Sequence, residues 1–153
     1  MMKKSGFTLI ELLVVISLLG ILATLLIANL SSARQRGRDV QRKSDLRNIA
    51  TAMRLYYNDY GVYPASSVGG EILGCGAGGT GTCAWGTAWD ADNVNYMSTL
   101  PADPLSTQSY SYQQVSLDSF RLLTCLENAS DEDGKPEVGI DCTSDTMYEF
   151  VQQ

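Results

Sequence analysis

The chain has 153 residues, 44% of them apolar, and a formal net charge of −6 with no histidine. That length holds one modest domain plus a further segment, and the missing histidine removes the commonest general acid–base group. Charge is uneven: residues 31–60 carry seven Arg or Lys against Asp39, Asp45 and Asp59, while residues 61–153 carry Arg121 and Lys135 against thirteen acids. So acidic a C-terminal part is a poor match for phosphates, and no specific nucleic-acid partner is expected.

The first element follows the short basic run Lys3-Lys4-Ser5-Gly6. From Phe7 to Leu30 there are 24 mostly apolar residues, roughly 36 Å of helix, against a hydrocarbon core of about 30 Å. One carboxylate, Glu11, interrupts the run. A lone acid in lipid costs about 2.5 to 3.5 kcal/mol and calls for a partner. A secretory signal peptide cleaved near Ser31-Ser32-Ala33 is strained by the length of the apolar run and by Glu11. A plain single-pass anchor explains the length but not the acid.

The stretch KKSG-FTLIELLVVISLLGILA resembles the leader and N-terminal helix of type IV pilins and type II secretion pseudopilins. The likeness rests on a basic leader ending in Gly, then Phe, then Glu four residues later. It implies a leader over residues 1–6, cleavage by a prepilin peptidase between Gly6 and Phe7, and N-methylation of Phe7. It also implies that Glu11 pairs with the terminal amine of a neighbouring subunit. A buried ion pair adds little stability of its own, whereas an unpaired member is costly, so such a pair sets register. The five basic residues from Arg34 to Lys43 argue the other way on topology, since the positive-inside rule would put the C-terminal side in the cytoplasm. Relatives commonly carry proline where this chain has Ala28, which leaves open whether the helix loosens between Gly20 and Ala28.

Residues 31–60 keep a helical rhythm. Leu46, Ile49, Met53, Tyr56 and Tyr60 follow at separations of 3, 4, 3 and 4, one face that can pack on a domain. Gly37 weakens the helix without breaking it, and Gly61 with Pro64 ends it. The expected divisions are 7–30 as the transmembrane or filament-core half, 31–60 as the amphipathic half, and 61–153 as a globular head. The basic residues read as a solvated face with pairs such as Asp39 and Lys43.

The Gly- and Ser-rich stretch from Ala65 to Asp92 reads as a long surface loop, with Trp85 and Trp89 packing it onto the domain. SYSYQQV from Ser109, FRLLTCLEN from Phe120 and MYEFV from Met147 read as strands. The expected fold class is α+β, a long N-terminal helix packed on a small antiparallel sheet.

Cys75, Cys83, Cys125 and Cys142 allow three connectivities, and order along the chain favours Cys75 with Cys83 and Cys125 with Cys142. A zinc site is the alternative, weakened by the absent histidine and the spacings. In SDEDGKPEVGID, an EF-hand frame would put Ala129 and Ile140 at ligand positions and fails. A looser calcium loop through Asp131, Asp133, Glu137 and Asp141 resembles that of the major pseudopilin; a solvated acidic turn closed by Cys125 and Cys142 competes with it.

No nucleophile stands beside a base, so catalysis finds no support. The expected function is a structural subunit of a type IV pilus-like filament serving adhesion, motility or DNA uptake. It would be held in the cytoplasmic membrane, cut by the prepilin peptidase and polymerised by an assembly platform into a homo-oligomer outside the cell or in the periplasm. The alternatives are a type II secretion pseudopilin, and a minor or tip pilin whose Trp-containing loop binds a surface or DNA.

Overall fold

The computed structural model describes residues 7–136 and 138–152, except for the side chains of 25–29. It falls into two compact units, one ending at Arg36 and one beginning at Gly37. Helix α1, Leu9–Tyr60, is continuous over 52 residues. Its backbone stays helical across Gly20 and Ala28, where no proline removes a donor.

In the first unit the described apolar side chains are exposed. Phe7 and Leu9 are each 81% exposed, and the large apolar residues from Ile10 to Leu22 are exposed with them. Among the described residues no helix is long and apolar enough to cross a membrane. The described side chains of the apolar half end at Thr24 and resume at Leu30.

The second unit is ordered by the stripe on α1. Leu46, Ile49, Met53 and Tyr56 are buried, with Ala50 and Ala52 between them, while Tyr60 is half-buried. Gly61, at φ 71°, stops the helix in the left-handed region, and its N–H still donates to the Tyr57 carbonyl at 2.8 Å.

Among the described residues nine short strands follow, paired antiparallel with one another. β1 (Ala65–Ser66), β2 (Ile72–Cys75) and β3 (Gly81–Cys83) form one sheet, and β4 (Trp89–Ala91) with β5 (Val94–Met97) forms a hairpin. β6 (Ser111–Ser116), β7 (Ser119–Cys125), β8 (Lys135–Pro136) and β9 (Thr146–Gln152) make a four-stranded sheet in the order β6-β7-β9-β8.

The stretch expected as a long loop therefore holds four strands. Buried Ile72 and Trp89 anchor it, and a disulfide joins Cys75 of β2 to Cys83 of β3, with Cα atoms 5.3 Å apart. Gly79, at φ 59°, lets its backbone approach Tyr56; a Cβ there would lie 2.7 Å from the tyrosine oxygen. The indole N–H of Trp89 donates to the Gly74 carbonyl at 2.8 Å, and Trp85 meets Tyr110 edge-on at 5.8 Å.

β7 is covered on both faces, as strand alternation requires of its sequence. Phe120 and Leu122 join the core on α1, together with Tyr112, Trp89 and Leu100. Leu123 and Cys125 belong to a second small cluster with Cys142, Met147 and Ile140. The Cys125–Cys142 disulfide, Cα atoms 5.4 Å apart, closes that second cluster.

Candidate functional site

Two sets of residues carry the chemistry, one in each unit. In the first, Thr8 and Glu11 cap the start of α1 reciprocally. The Glu11 carboxylate accepts from the Thr8 N–H at 2.8 Å and from its hydroxyl at 2.7 Å, while the Glu11 N–H approaches the Thr8 hydroxyl oxygen at 3.4 Å. This is a capping box, which satisfies otherwise orphaned donors and places a negative charge at the positive end of the helix. The Thr-x-x-Glu spacing is legible in the sequence, although it was not singled out beside the expected pairing of Glu11 with a neighbouring subunit's amine. Glu11 is exposed and lines an open apolar groove with Phe7, Ile10, Val14 and Val15. Gly6 lies outside the described residues.

In the second unit a charge cluster ties α1 to the loops that flank the four-stranded sheet. Arg42 is fully buried and holds three carboxylates: Asp103 through Nε at 2.8 Å, Asp39 at 2.7 Å and Glu127 at 2.8 Å. Arg38 reaches Glu127 through Nε at 2.6 Å. Asp39 also accepts from the backbone N–H groups of Glu127 and Asn128, at 3.0 and 2.9 Å. Sequence spacing suggested Asp39 with Lys43; the structure pairs Asp39 with Arg42, because Lys43 is taken by the acidic turn. The Arg38 hydrogen bond is the main cause that holds the Glu127 carboxyl down at about 2, with partial burial opposing and Arg42 assisting. Burial pulls the Arg42 guanidinium downward, but its hydrogen bonds to Asp103 and Glu127 outweigh that and raise it.

The remaining acids of the amphipathic half face tyrosines. Tyr110 donates to Asp45 at 2.8 Å and Tyr96 to Asp59 at 2.7 Å. Burial, then the bond to Asp45, pushes the Tyr110 phenol well above its ordinary range. These tyrosines of the head thus act as polar ties to the helix, which residue spacing alone does not show.

The acidic turn was a candidate calcium loop, and its donors do not fit that ion. The Lys43 ammonium sits between Asp131 Oδ1 at 2.5 Å and Asp133 Oδ2 at 2.8 Å. Asp141 lies elsewhere, exposed beside Thr107, Gln108 and Thr143. Glu137 lies outside the described residues, and among the described ones no group of three His, Cys, Asp or Glu side chains is arranged to hold a metal ion. Calcium takes six to eight oxygens, and a divalent ion between these two aspartates would meet a resident cation.

The prokaryotic N-terminal methylation motif matches residues 1–27. The chain is 35% identical over 102 residues to the type II secretion system core protein G of Pseudomonas aeruginosa, covering 67% of this chain and 68% of that protein. To the protein of the same name in Vibrio cholerae it is 36% identical over 73 residues, 48% of this chain and 50% of that one. To the type IV wide pilus major component of Thermus thermophilus it is 38% identical over 74 residues, 48% of this chain and 56% of that one. No solved structure matches it significantly. The chain belongs to the type IV pilin and type II secretion pseudopilin family. Its role is that of a pilin-like structural subunit, not an enzyme.

Proposed function

We propose that this chain is the repeating subunit of a type IV pilus-like filament. In this reading a prepilin peptidase cuts after Gly6, Phe7 becomes the methylated N-terminus, and the Phe7–Leu30 segment anchors the subunit in the cytoplasmic membrane. An assembly platform then polymerises it through that segment. The observation that carries the reading is the contrast in burial: exposed apolar residues from Phe7 to Leu22 beside a head whose core is filled by its own side chains. In water such an exposed run is unfavourable; lipid and neighbouring helices both relieve it. In this reading the Glu11 carboxylate, which accepts from Thr8, meets the terminal amine of an incoming subunit. Intact-mass measurement of filaments sheared from the native host tests this. A subunit starting at Phe7 and heavier by one methyl supports it, and a start at Arg34 marks an ordinary signal peptide and overturns it.

A secretion pseudopilus is the second reading, favoured by the longer matches to proteins named type II secretion system core protein G. The disulfide-closed C-terminal segment favours the pilus. Imaging separates them: long surface filaments built mainly of this chain support the first, and a short periplasmic filament with a secretion defect on deletion supports the second. A minor or tip pilin whose Trp-containing loop binds a surface or DNA is the third reading; with Trp89 fully buried, half-buried Trp85 would serve it.

A further inference from the structure

We infer that Lys43 is the built-in counter-ion of the acidic turn at 128–136, doing by a tethered ammonium what a bound divalent cation would otherwise do. The inference does not rest on the filament reading.

The geometry is that of a clamp. Lys43 projects from α1, four residues beyond Asp39, and its side chain is 13% exposed. Its amine meets Asp131 at 2.5 Å and Asp133 at 2.8 Å, and stands 5.5 Å from the centre of the Tyr148 ring on β9. One cation thus joins the helix, the turn and the sheet. The turn is shaped to present both carboxylates to it. The Asp133 N–H donates to Asp131 Oδ1 at 2.9 Å, the Gly134 N–H to the Asp131 carbonyl at 3.0 Å, and the Asp131 N–H to the Asn128 carbonyl at 3.1 Å. Gly134 leaves no room for a side chain, since a Cβ would come within 2.6 Å of Thr146. The turn is therefore pressed against β9 and cannot open outward without losing these contacts.

Electrostatics agree with this placement. Burial weakens the Lys43 charge, yet the hydrogen bonds to Asp131 and Asp133 overcome it and raise the amine, while Asp131, despite its own burial, is drawn down by Lys43. A second, divalent positive charge at the same carboxylates would be repelled by the first. The ammonium is covalently attached, so neither dilution nor a chelator removes it. The cost is directional: one amine offers three donors, where a metal would gather six or more oxygens.

Two measurements on the full chain in detergent micelles test the inference. First, thermal unfolding of the unaltered protein is compared in millimolar calcium and in excess EGTA. The expected result is a Tm unchanged to within about 1 °C, because a ligand shifts stability only if it binds the folded state. A Tm several degrees higher in calcium overturns the inference. Second, Lys43→Met keeps the apolar stem and removes the charge. Amide exchange across residues 129–136 is then expected to quicken about 5- to 10-fold, with the buried stripe of α1 unaffected. Unchanged exchange in that turn means Lys43 does not hold it, and the inference falls. Should Lys43→Met fail to fold, the calcium comparison on the unaltered chain still decides.

Discussion

The two units of this chain share a helix and treat their apolar residues in opposite ways. From Leu9 to Leu22, leucine, isoleucine and valine lie on every side of α1 and are exposed; beyond Gly37, most apolar residues of α1 keep to a 3-4 stripe and are buried, with Val40 and Leu55 exposed off it. The difference teaches that the same secondary structure can be specified by two kinds of pattern. A helix apolar all round is made for an apolar environment, and one with a single apolar stripe brings its own cover. Charged residues follow the same division. Glu11 satisfies its neighbour Thr8 within one turn, whereas Asp39, Arg42 and Lys43 reach across more than sixty residues of sequence for most of their partners.

If this division is functional, a change in one unit leaves the property of the other intact. The largest effect is expected from Glu11→Val. Membrane insertion and cleavage after Gly6 should survive, since the change removes a charge that is costly in lipid. Filament yield should fall at least tenfold, because an incoming amine left without its partner costs about 3 to 5 kcal/mol per subunit. Shearing and quantifying filaments, with processing checked by mass spectrometry, reads this; normal yield from fully processed protein would remove Glu11 from assembly.

Arg42→Met should do the converse. It leaves Asp39, Asp103 and Glu127 facing one another in the interior, an expected loss of about 3 to 5 kcal/mol in head stability. Exposed Arg47→Met should stay within about 0.5 kcal/mol. Chemical unfolding in micelles separates the two, and equal losses would break the contrast between the buried and exposed basic residues.

Replacing Cys125 and Cys142 by serine should cost about 3 kcal/mol in the chain-entropy account, and the Cys75 and Cys83 pair slightly less because its loop is shorter. Both losses belong to the second unit, so processing at Gly6 should be unchanged. Impaired cleavage in either variant would tie the two units together more closely than the comparison allows.

The smallest effect is a pH dependence. The folded Glu127 carboxyl is held at about 2, below its ordinary 4.5, so its contribution is full above about pH 4.5 and is lost as pH falls toward 2. That contribution is at most about 3 kcal/mol by linkage, less whatever solvent screens. Glu127→Gln should flatten the decline in stability between pH 5 and pH 2. A decline as steep in the variant as in the parent would assign the acid sensitivity to other carboxylates.

Much of this was legible from residue spacing. The stripe from Leu46 to Tyr56 and the stop at Gly61 are local signals, and the helix obeys them. The strands β6 and β9 lie within two residues of their sequence patterns, and β7 ends three residues before its own, since alternation is also local. What spacing could not show is contact across sequence distance. The Gly-rich stretch contains β1 to β4 because Ile72 and Trp89 find the core made by α1, and composition there resembles a loop. Lys43 looked like a helix-surface partner for Asp39, four residues away, and was claimed instead by carboxylates 88 and 90 residues on. Glu11 is the instructive miss, because the Thr8 signal three residues earlier was local and only its meaning was overlooked.

The position of β9 has a consequence in time. It is the latest strand in sequence yet an inner one, paired with β7 on one side and β8 on the other. A ribosome making this chain releases α1 about 85 residues before β9 begins, a delay of roughly 4 to 17 s at ordinary elongation rates. For the last 20 or so residues of that interval β7 is made but has one open edge, and throughout it Tyr148 is not yet present to meet Lys43. The helix therefore waits, already synthesised, for the strand that completes its head. A chain whose synthesis stops short of Thr146 would carry the N-terminal assembly segment with an unfinished sheet, a form that a quality-control protease can recognise by its exposed edge.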